Sequence, residues 1–154
     1  MSFSTRFRVV QGLPPVADAL ALTIYSDIIS CQGAENIIFI LQRGVGTTGK
    51  SQITVEACDD NSPSNTAAVP FRYKQIDGSD VEGTLTEAAE AGYAMAAGSN
   101  RIDIIEVDAA RLAVEGYGWC RLKAVEATDA AVLAGILAIV DTHFAKDVKP
   151  SPLS

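Results

Sequence analysis

The sequence has little of what a metal site requires. Its three cysteines, Cys31, Cys58 and Cys120, are far apart and form no C-x-x-C pair, and its one histidine is His143. A structural zinc site needs about four nitrogen or sulfur ligands, usually closely paired in the sequence. We therefore predict no metal and no other cofactor. We interpret the cysteines as buried small apolar residues of a protein kept in a reducing compartment.

Long hydrophobic runs are also lacking. The longest, "AAVLAGILAIV" at residues 130–140, has 11 residues, whereas a membrane-spanning helix needs about 20. Residues 1–15 contain arginines but no apolar stretch of signal-peptide length. The sequence thus predicts a soluble protein without a cleaved export signal.

Positive charge is scarce relative to negative charge. The 154 residues include 12 Lys and Arg against 19 Asp and Glu, for a net charge of −7. Such a surface repels phosphate backbones and anionic lipids, so we expect neither nucleic acid nor a membrane as a partner. The length is that of one compact domain.

Catalytic signatures are missing as well. There is no G-x-S-x-G motif, and His143 is the single available imidazole base. No pair of carboxylates is marked by its neighbours as buried or coupled. The acidic segments 58–61 and 77–80 could offer oxygen ligands to Ca²⁺, but neither matches an EF-hand loop, and Asp and Asn are ordinary turn residues. We predict that the protein is not an enzyme.

What the sequence does contain is a series of short strand-like runs separated by turn residues. They occupy residues 6–12, 22–30, 36–43, 51–57, 68–76, 101–107, 117–125 and 134–140. Residues 36–43 form a nearly continuous apolar run, typical of a strand covered on both faces or along its sides. Pro70 cannot donate to a strand ladder and marks a strand start or a sheet edge. The series predicts an all-β fold, an antiparallel β-sandwich of jelly-roll type, as a single domain at 1–145 with a C-terminal arm at 146–154.

Helical patterns are short. Residues 15–22 begin with a proline, residues 84–92 have capping-box spacing from Thr84 to Glu87, and residues 108–116 begin with an Asp cap and end with glycine. We predict one to three short helices in the connections between strands. Because they do not alternate with the strands, a parallel βαβ sheet is not supported.

Residues 44–51, "GVGTTGKS", match the phosphate-binding loop pattern G-x-x-x-x-G-K-[ST]. A phosphate loop enters a helix, whose N-terminus binds the phosphates. Here the motif is followed by "QITVEA", which alternates with period two and contains β-branched residues. We interpret the segment as a glycine-rich hairpin that pairs residues 36–43 with residues 51–57, with Lys50 and Ser51 at an exposed strand end.

The run "YGWCRLKAV" at residues 117–125 contains the candidate interaction surface. Alternation places Tyr117, Trp119, Arg121 and Lys123 on one face of a strand and small or apolar residues on the other. Trp, Tyr and Arg are favoured in binding hot spots. The alternative is that Trp119 belongs to the core and the charged side chains extend to solvent from strand ends.

Three sequence segments together resemble those of a family of small virion proteins of tailed bacteriophages. They are "GLPPVADALALTIYSDIIS", "ITVEACDDNSPSNTAAVPFRYKQI" and "AAGSNRIDIIEVDAARLAVEGYGWCRLKAVEA". The resemblance is to jelly-roll cement or decoration proteins of the capsid and spans residues ~9–140, at the level of strand order and turn phrases. It brings no catalytic residues.

The resemblance implies a structural protein on the outside of a phage capsid. Its partners would be the major capsid protein and further copies of itself around symmetry axes, and it would be assembled in the host cytoplasm. A tail or head–tail connector component remains open. So does a carbohydrate- or receptor-binding module that uses Tyr93, Tyr117 and Trp119.

Overall fold

The computed structural model describes residues 2–114 and 116–142. Two short helices are found there, α1 (Phe3–Arg6) and α2 (Ala109–Val114). The strands in these ranges are β1 (Phe7–Val16), β2 (Thr23–Tyr25), β3 (Ile29–Ser30), β4 (Ala34–Arg43), β5 (Lys50–Cys58), β6 (Thr66–Val69), β7 (Phe71–Ile76), β8 (Thr86–Ala88), β9 (Tyr93–Ala94), β10 (Ile102–Asp108), β11 (Trp119–Thr128) and β12 (Ala134–Thr142).

The strands form two antiparallel sheets. Sheet A has the order β1-β12-β4-β10-β7-β8, and sheet B has the order β2-β11-β5-β6, with β3 beside β11 and β9 beside β5. Neither sheet closes on itself. The all-β sandwich that the sequence predicts is therefore confirmed.

The strand order is that of a jelly roll. Eight strands carry the topology, namely β1, β2, β4, β5, β6, β10, β11 and β12. If these eight strands are numbered 1 to 8 along the chain, sheet A has the order 1-8-3-6 and sheet B has the order 2-7-4-5. This is the wrapped arrangement of two Greek keys. Strands β7 to β9 are an addition between the fifth and sixth of the eight.

The hydrophobic core lies between the two sheets. Strand β4 contributes Ile37, Phe39 and Leu41, which are fully buried, and β5 contributes Ile53 and Val55 in the same way. These residues are two apart, because alternate side chains of a strand point to the same face. Phe71 points into this core, and Tyr73 packs against it.

The outer side of sheet A is also apolar. Large aliphatic side chains on four adjacent strands point away from the core and keep part of their surface accessible. We call these six residues the isoleucine face: Val9, Ile38, Ile40, Ile104, Leu137 and Ile139. The sequence predicts that β4 is covered on both faces or along its sides. In the described residues β12 and β10 flank it on both sides and its inner face is buried, whereas its outer face stays partly accessible.

The predicted hairpin at residues 44–49 is wrong. Strand β4 pairs with β10 and β12 in sheet A, whereas β5 pairs with β6, β9 and β11 in sheet B. The segment therefore crosses from one sheet to the other. Pro70 marks a similar crossing, since it separates β6 at the edge of sheet B from β7 in sheet A.

Two of the three predicted helices are also wrong. Residues 15–22 form the end of β1 and a turn, and residues 84–92 contain β8 instead of a helix. The third is confirmed as α2. Its Asp108 accepts a hydrogen bond from the Ala110 N–H at 2.9 Å, and Gly116 follows it with φ +82°.

None of the helices in the described ranges has the length and hydrophobicity needed to cross a membrane. His143 and the predicted C-terminal arm at 146–154 lie outside the described residues.

Candidate functional site

The outer side of sheet B carries a cluster of charged and aromatic side chains from three strands. Arg121 and Lys123 come from β11, Glu56 from β5 and Tyr25 from β2. The strand register brings them together, because Arg121 pairs with Glu56 and Lys123 pairs with Tyr25. Residues directly opposite in antiparallel strands lie on the same face. We call these four residues the sheet B cation cluster.

The Glu56 carboxylate holds both cations. Its Oε2 accepts a hydrogen bond from Arg121 Nε at 2.9 Å and lies 2.8 Å from Arg121 Nη2, and its Oε1 lies 3.1 Å from Lys123 Nζ. The Arg121 guanidinium also stacks on Tyr25, with 3.9 Å between its central carbon and the ring centroid. Each charged group of the cluster therefore already has a partner within the protein.

The cluster is partly exposed and carries excess positive charge. The side chains of Arg121 and Lys123 are 18% and 28% exposed, and Tyr25 is 41% exposed. Two cations against one carboxylate leave a formal charge of +1 in a chain whose net charge is −7. The cluster is thus a local positive, aromatic spot on an acidic protein, suited to a partner surface with carboxylates.

Three of the four residues that the sequence proposes as an interaction surface lie together. Trp119, Arg121 and Lys123 are half-buried and alternate on β11 with the buried Cys120, Leu122 and Ala124. Tyr117 is separate: it precedes the strand, packs against the hydrophobic core, and its N–H donates to the Leu112 carbonyl at 3.0 Å.

The sequence could not identify Tyr25 and Glu56 as members of this surface. Each lies on a different strand from Arg121, and their contact depends on pairings between segments far apart in the chain. The available signal is that Glu56 is on the polar face of its strand, opposite the buried Val55 and Ala57.

Tyr93 does not contribute to any surface. It is 5% exposed, and its hydroxyl donates to Asp103 Oδ2 at 2.7 Å. Burial, followed by the nearby Asp103 carboxylate, raises the pKa of Tyr93 well above its ordinary value. The tyrosine is therefore a neutral hydrogen-bond donor inside the protein.

Asp103 is the centre of a buried polar network. Its carboxylate is fully buried and lies 2.6 Å from Arg43 Nη2, and it also accepts from Gln75 Nε2 at 3.1 Å. Arg43 donates in turn to the Ala96 carbonyl at 2.6 Å. Buried charges require such partners, because an isolated charge away from water is costly. The network joins β4, β7, β9 and β10 and is part of the architecture.

The three cysteines lie near one another as free thiols. Cys58 and Cys120 are buried, as predicted, while Cys31 is half-buried with its Sγ 3.7 Å from Cys120 Sγ. Burial raises the pKa of Cys58 to about 11, although Arg121 acts in the opposite direction. Cys58 is thus a neutral thiol at physiological pH and a poor nucleophile.

The phosphate-loop motif does not have the geometry that binds phosphate. Lys50 is the first residue of β5, so the loop leads into a strand and not into a helix N-terminus. The backbone N–H of Gly44 donates to the Leu133 carbonyl at 2.7 Å, and that of Gly46 donates to Ser99 Oγ at 3.1 Å. Donors that a phosphate would need are already used within the protein.

We expect that ATP and GTP with Mg²⁺ give no saturable heat in isothermal titration, and that Lys50→Ala gives the same trace as the wild type. We expect both results because a strand, and not a phosphate-binding helix, begins at Lys50. Saturable heat with the wild type that disappears in Lys50→Ala would contradict this interpretation.

The acidic turns use their carboxylates to stabilise the turns themselves. Asp77 Oδ1 accepts from the N–H groups of Ser79 at 2.8 Å and Val81 at 3.0 Å. The backbone hydrogen bonds from Val81 and then Ser79 lower the pKa of Asp77. Asp59 similarly binds Asn65. These contacts agree with the interpretation of both segments as turns.

The fold and the cluster together define a class: a jelly-roll β-sandwich that presents a preorganised cation–aromatic surface on one outer face. In comparisons with known proteins, no family model and no curated protein matches the chain.

Solved structures do match. The SPBc2 prophage-derived protein YomS aligns over 87% of this chain and 91% of its own, with 11% identity and a TM-score of 0.45. Two structures of infectious bursal disease virus align with a TM-score of 0.28 each. The structure of the Gx strain aligns over 88% of this chain and 40% of its own, with 13% identity. The VP2 subviral particle aligns over 97% of this chain and 45% of its own, with 12% identity.

Proposed function

We propose that this protein is a structural virion protein of a tailed bacteriophage that binds the outside of the capsid shell and stabilises it. The observation that carries the proposal is the sheet B cation cluster. A group of arginine and aromatic side chains on a sheet face is typical of a protein–protein contact. The jelly-roll topology and the resemblance of the sequence phrases to cement proteins support the same role.

The cluster suits a tight contact because it is already ordered. Fixing a free arginine or lysine at an interface costs about 0.5–1.5 kcal/mol in side-chain freedom. Glu56 and Tyr25 hold Arg121 before binding, through a hydrogen bond of 2.9 Å, an ion-pair contact of 2.8 Å and a ring contact of 3.9 Å. The partner we propose is a carboxylate-bearing surface of the major capsid protein, with Trp119 beside the cluster as an apolar anchor.

The test measures binding of the purified chain to heads assembled from the major capsid protein of the source phage without this protein. We expect saturable co-sedimentation with on the order of hundreds of copies per head, as icosahedral symmetry requires. Trp119→Ala and Arg121→Ala should each weaken binding at least about 10-fold. The matched control is Arg72→Ala on sheet A, where Arg72 is 48% exposed and lies 3.3 Å from Glu106; its binding should equal that of the wild type.

Other outcomes identify the alternatives. No binding to such heads would refute the proposal, and equal weakening by Arg72→Ala would refute the assignment of the surface. Saturation at about a dozen copies or fewer would indicate a tail or head–tail connector component. Binding on a glycan array that is lost in Trp119→Ala would indicate a carbohydrate-binding module. Its proposed set of three aromatic residues is now reduced to Trp119, because Tyr93 is buried and Tyr117 packs on the core.

A further inference from the structure

Two of the three free thiols are held in contact by neighbouring strands. β3 pairs with β11 so that Ile29 lies opposite Cys120, and the Cys31 N–H donates to the Gly118 carbonyl at 2.9 Å. Cys31 follows Ile29 by two residues, so its side chain lies on the same face of the strand pair as Cys120. The two sulfur atoms are 3.7 Å apart. The strand register therefore places both thiols within reach of each other.

A cavity of about 540 Å³ gives solvent access to one of these thiols. Cys31 lines it together with the turn that follows β3, the start of β4 and the start of α2. This volume is in the usual range of small-molecule pockets. Cys120 is fully buried. A small reagent that enters the cavity therefore meets Cys31 before it can meet Cys120.

The walls of the cavity favour a positively charged reagent. Glu35 and Asp108 line it, and the other lining residues in the described part of the chain are uncharged. Arg6 lies 3.5 Å from Glu35 but is shared with Asp141, which its Nε contacts at 2.7 Å. The cavity thus carries excess negative charge, which attracts small cations and repels small anions.

The two thiols differ in their readiness to ionise. The contact with Cys31, followed by burial, raises the pKa of the Cys120 thiol well above its ordinary value. The thiolate, and not the thiol, is the nucleophile in thiol–disulfide exchange. Cys120 keeps its proton, so the accessible Cys31 is the thiol that reacts first.

We propose that Cys31 and Cys120 form a modification site for small cationic disulfides, which convert the pair into an intramolecular disulfide. The Cys31 sulfur attacks one sulfur of the reagent R–S–S–R, forms a mixed disulfide and releases one R–SH, which takes the Cys31 proton. The Cys120 sulfur then attacks the Cys31 sulfur and releases the second R–SH, which takes the Cys120 proton. Two protein thiols are oxidised, and one reagent disulfide is reduced to two thiols.

The new bond fixes a corner at which the chain changes sheets. Residues 31–34 connect β3, beside β11 in sheet B, to β4 in sheet A. The sulfur atoms must approach from 3.7 Å to about 2.0 Å. Because β3 ends at Ser30, the turn can shift without breaking the strand ladder. The inference is independent of capsid binding, since neither thiol belongs to the sheet B cation cluster.

The test treats the reduced full chain with cystamine, a small disulfide whose two amines are positively charged at neutral pH. We expect the folded protein to lose two of its three free thiols. Its intact mass should fall by two hydrogen atoms, without a bound cysteamine group, and dithiothreitol should restore the starting mass. This result requires closure of a disulfide within one chain.

Peptide mapping identifies the bonded pair. Trypsin places Cys31, Cys58 and Cys120 in separate peptides, at residues 9–43, 51–72 and 112–121. Free thiols are first capped with N-ethylmaleimide at low pH, which prevents exchange during digestion. We expect the first and third peptides to be linked and the second to carry the cap.

Thermal unfolding measures the effect of the bond on stability. Cys31 and Cys120 are 89 positions apart, and a bond that closes a long loop restricts the unfolded chain strongly. We expect the oxidised chain to melt at least about 5 °C above the reduced chain. Cys58→Ala is the matched control, because it removes the third thiol and should show the same closure and the same shift.

Two variants separate the two chemical steps. In Cys31→Ser, reaction with cystamine should be at least about 100-fold slower, because both remaining thiols are buried. In Cys120→Ala, the reaction should stop at the mixed disulfide, so the mass should rise by one cysteamine group. Should Cys120→Ala fail to fold, Cys31→Ser still tests the entry step, since Cys31 is only half-buried.

Several outcomes would overturn the proposal. They are a wild-type chain that keeps all three thiols, a mixed disulfide at Cys31 that never closes, a bond to Cys58, and a lower melting temperature after oxidation. Oxidised glutathione, which is negatively charged, tests the reagent class. At low ionic strength it should react at least about 3-fold more slowly than cystamine. An equal or faster reaction would contradict the preference for a cationic disulfide.

Discussion

Replacing Asp103 with alanine is expected to lower the free energy of unfolding by about 3–5 kcal/mol. The carboxylate accepts hydrogen bonds from Arg43 at 2.6 Å, Tyr93 at 2.7 Å and Gln75 at 3.1 Å. The Arg43 side chain is 1% exposed, so its charge would be left buried without a counter-ion. The cost arises mainly from this uncompensated charge and not from the lost attraction itself.

Thermal and urea unfolding measure the effect. For a chain of this length, the expected loss corresponds to a melting temperature about 6–20 °C lower. The control is Glu106→Ala on the same strand. The side chains of Glu106 and Arg72 are 32% and 48% exposed, so their ion pair should contribute no more than about 1 kcal/mol to the free energy of unfolding. Asp103→Ala and Glu106→Ala with equal losses would contradict our account.

A double variant separates the charge from the packing. Arg43→Met combined with Asp103→Leu removes both buried charges and keeps apolar volume. It should therefore recover a large part of the stability lost in Asp103→Ala. A double variant less stable than Asp103→Ala would show that the hydrogen bonds to Tyr93 and Gln75 dominate instead.

Gly49→Ala is expected to destabilise the protein by about 2–3 kcal/mol. The loop between β4 and β5 passes over the segment before β12. A methyl group on Gly49 would lie 2.5 Å from the Ala130 carbonyl oxygen and would also meet the buried Val132. Because the obstacle includes backbone, a side-chain rotation cannot relieve it.

Urea unfolding compares this variant with Gly118→Ala. An added methyl group at Gly118 meets no atom within 4 Å, so the change should stay within about 0.5 kcal/mol of the wild type. Lys50→Ala changes an exposed side chain one residue after Gly49, and its free energy of unfolding should also stay within that range. If Gly49→Ala is as stable as Gly118→Ala, close packing is not the reason for glycine there.

The glycines of this loop show where sequence reasoning succeeds and where it ends. The β-branched residues after Ser51 correctly predict a strand and exclude a phosphate-binding helix. The hairpin was wrong because glycine has two uses: it adopts positive φ, and it allows close approach. Gly44, Gly46 and Gly49 serve the second use, which depends on Ala130–Leu133, a segment about 80 residues away.

The helix expected at residues 84–92 was wrong for a related reason. The Thr84 to Glu87 spacing matches a capping box, but Ala88 pairs with Phe71 and Thr86 with Tyr73 in sheet A. Tertiary pairing of a short segment outweighs a local helical preference of a few tenths of a kcal/mol per residue. Gly92 does end a turn with φ +75°, as a helix stop also would.

The candidate surface was predictable in part. Alternation along β11 places Trp119, Arg121 and Lys123 on one face, because the two-residue period is a local property. It could not extend to Tyr117, which lies before the strand begins, nor to Glu56 and Tyr25, whose positions depend on register between strands. The alternation along one strand predicts which of its own residues share a face, whereas the pairing between strands determines which residues of the neighbouring strands lie beside them.

The first and last described strands end side by side. Phe7 pairs with Asp141, and the Arg6 Nε donates to the Asp141 carboxylate at 2.7 Å. Segments joined to either terminus therefore leave the sandwich at the same corner. A peptide fused before β1 or after β12 would be displayed from one corner of the protein, and a short linker between these ends would allow circular permutation at an exposed loop such as residues 59–65.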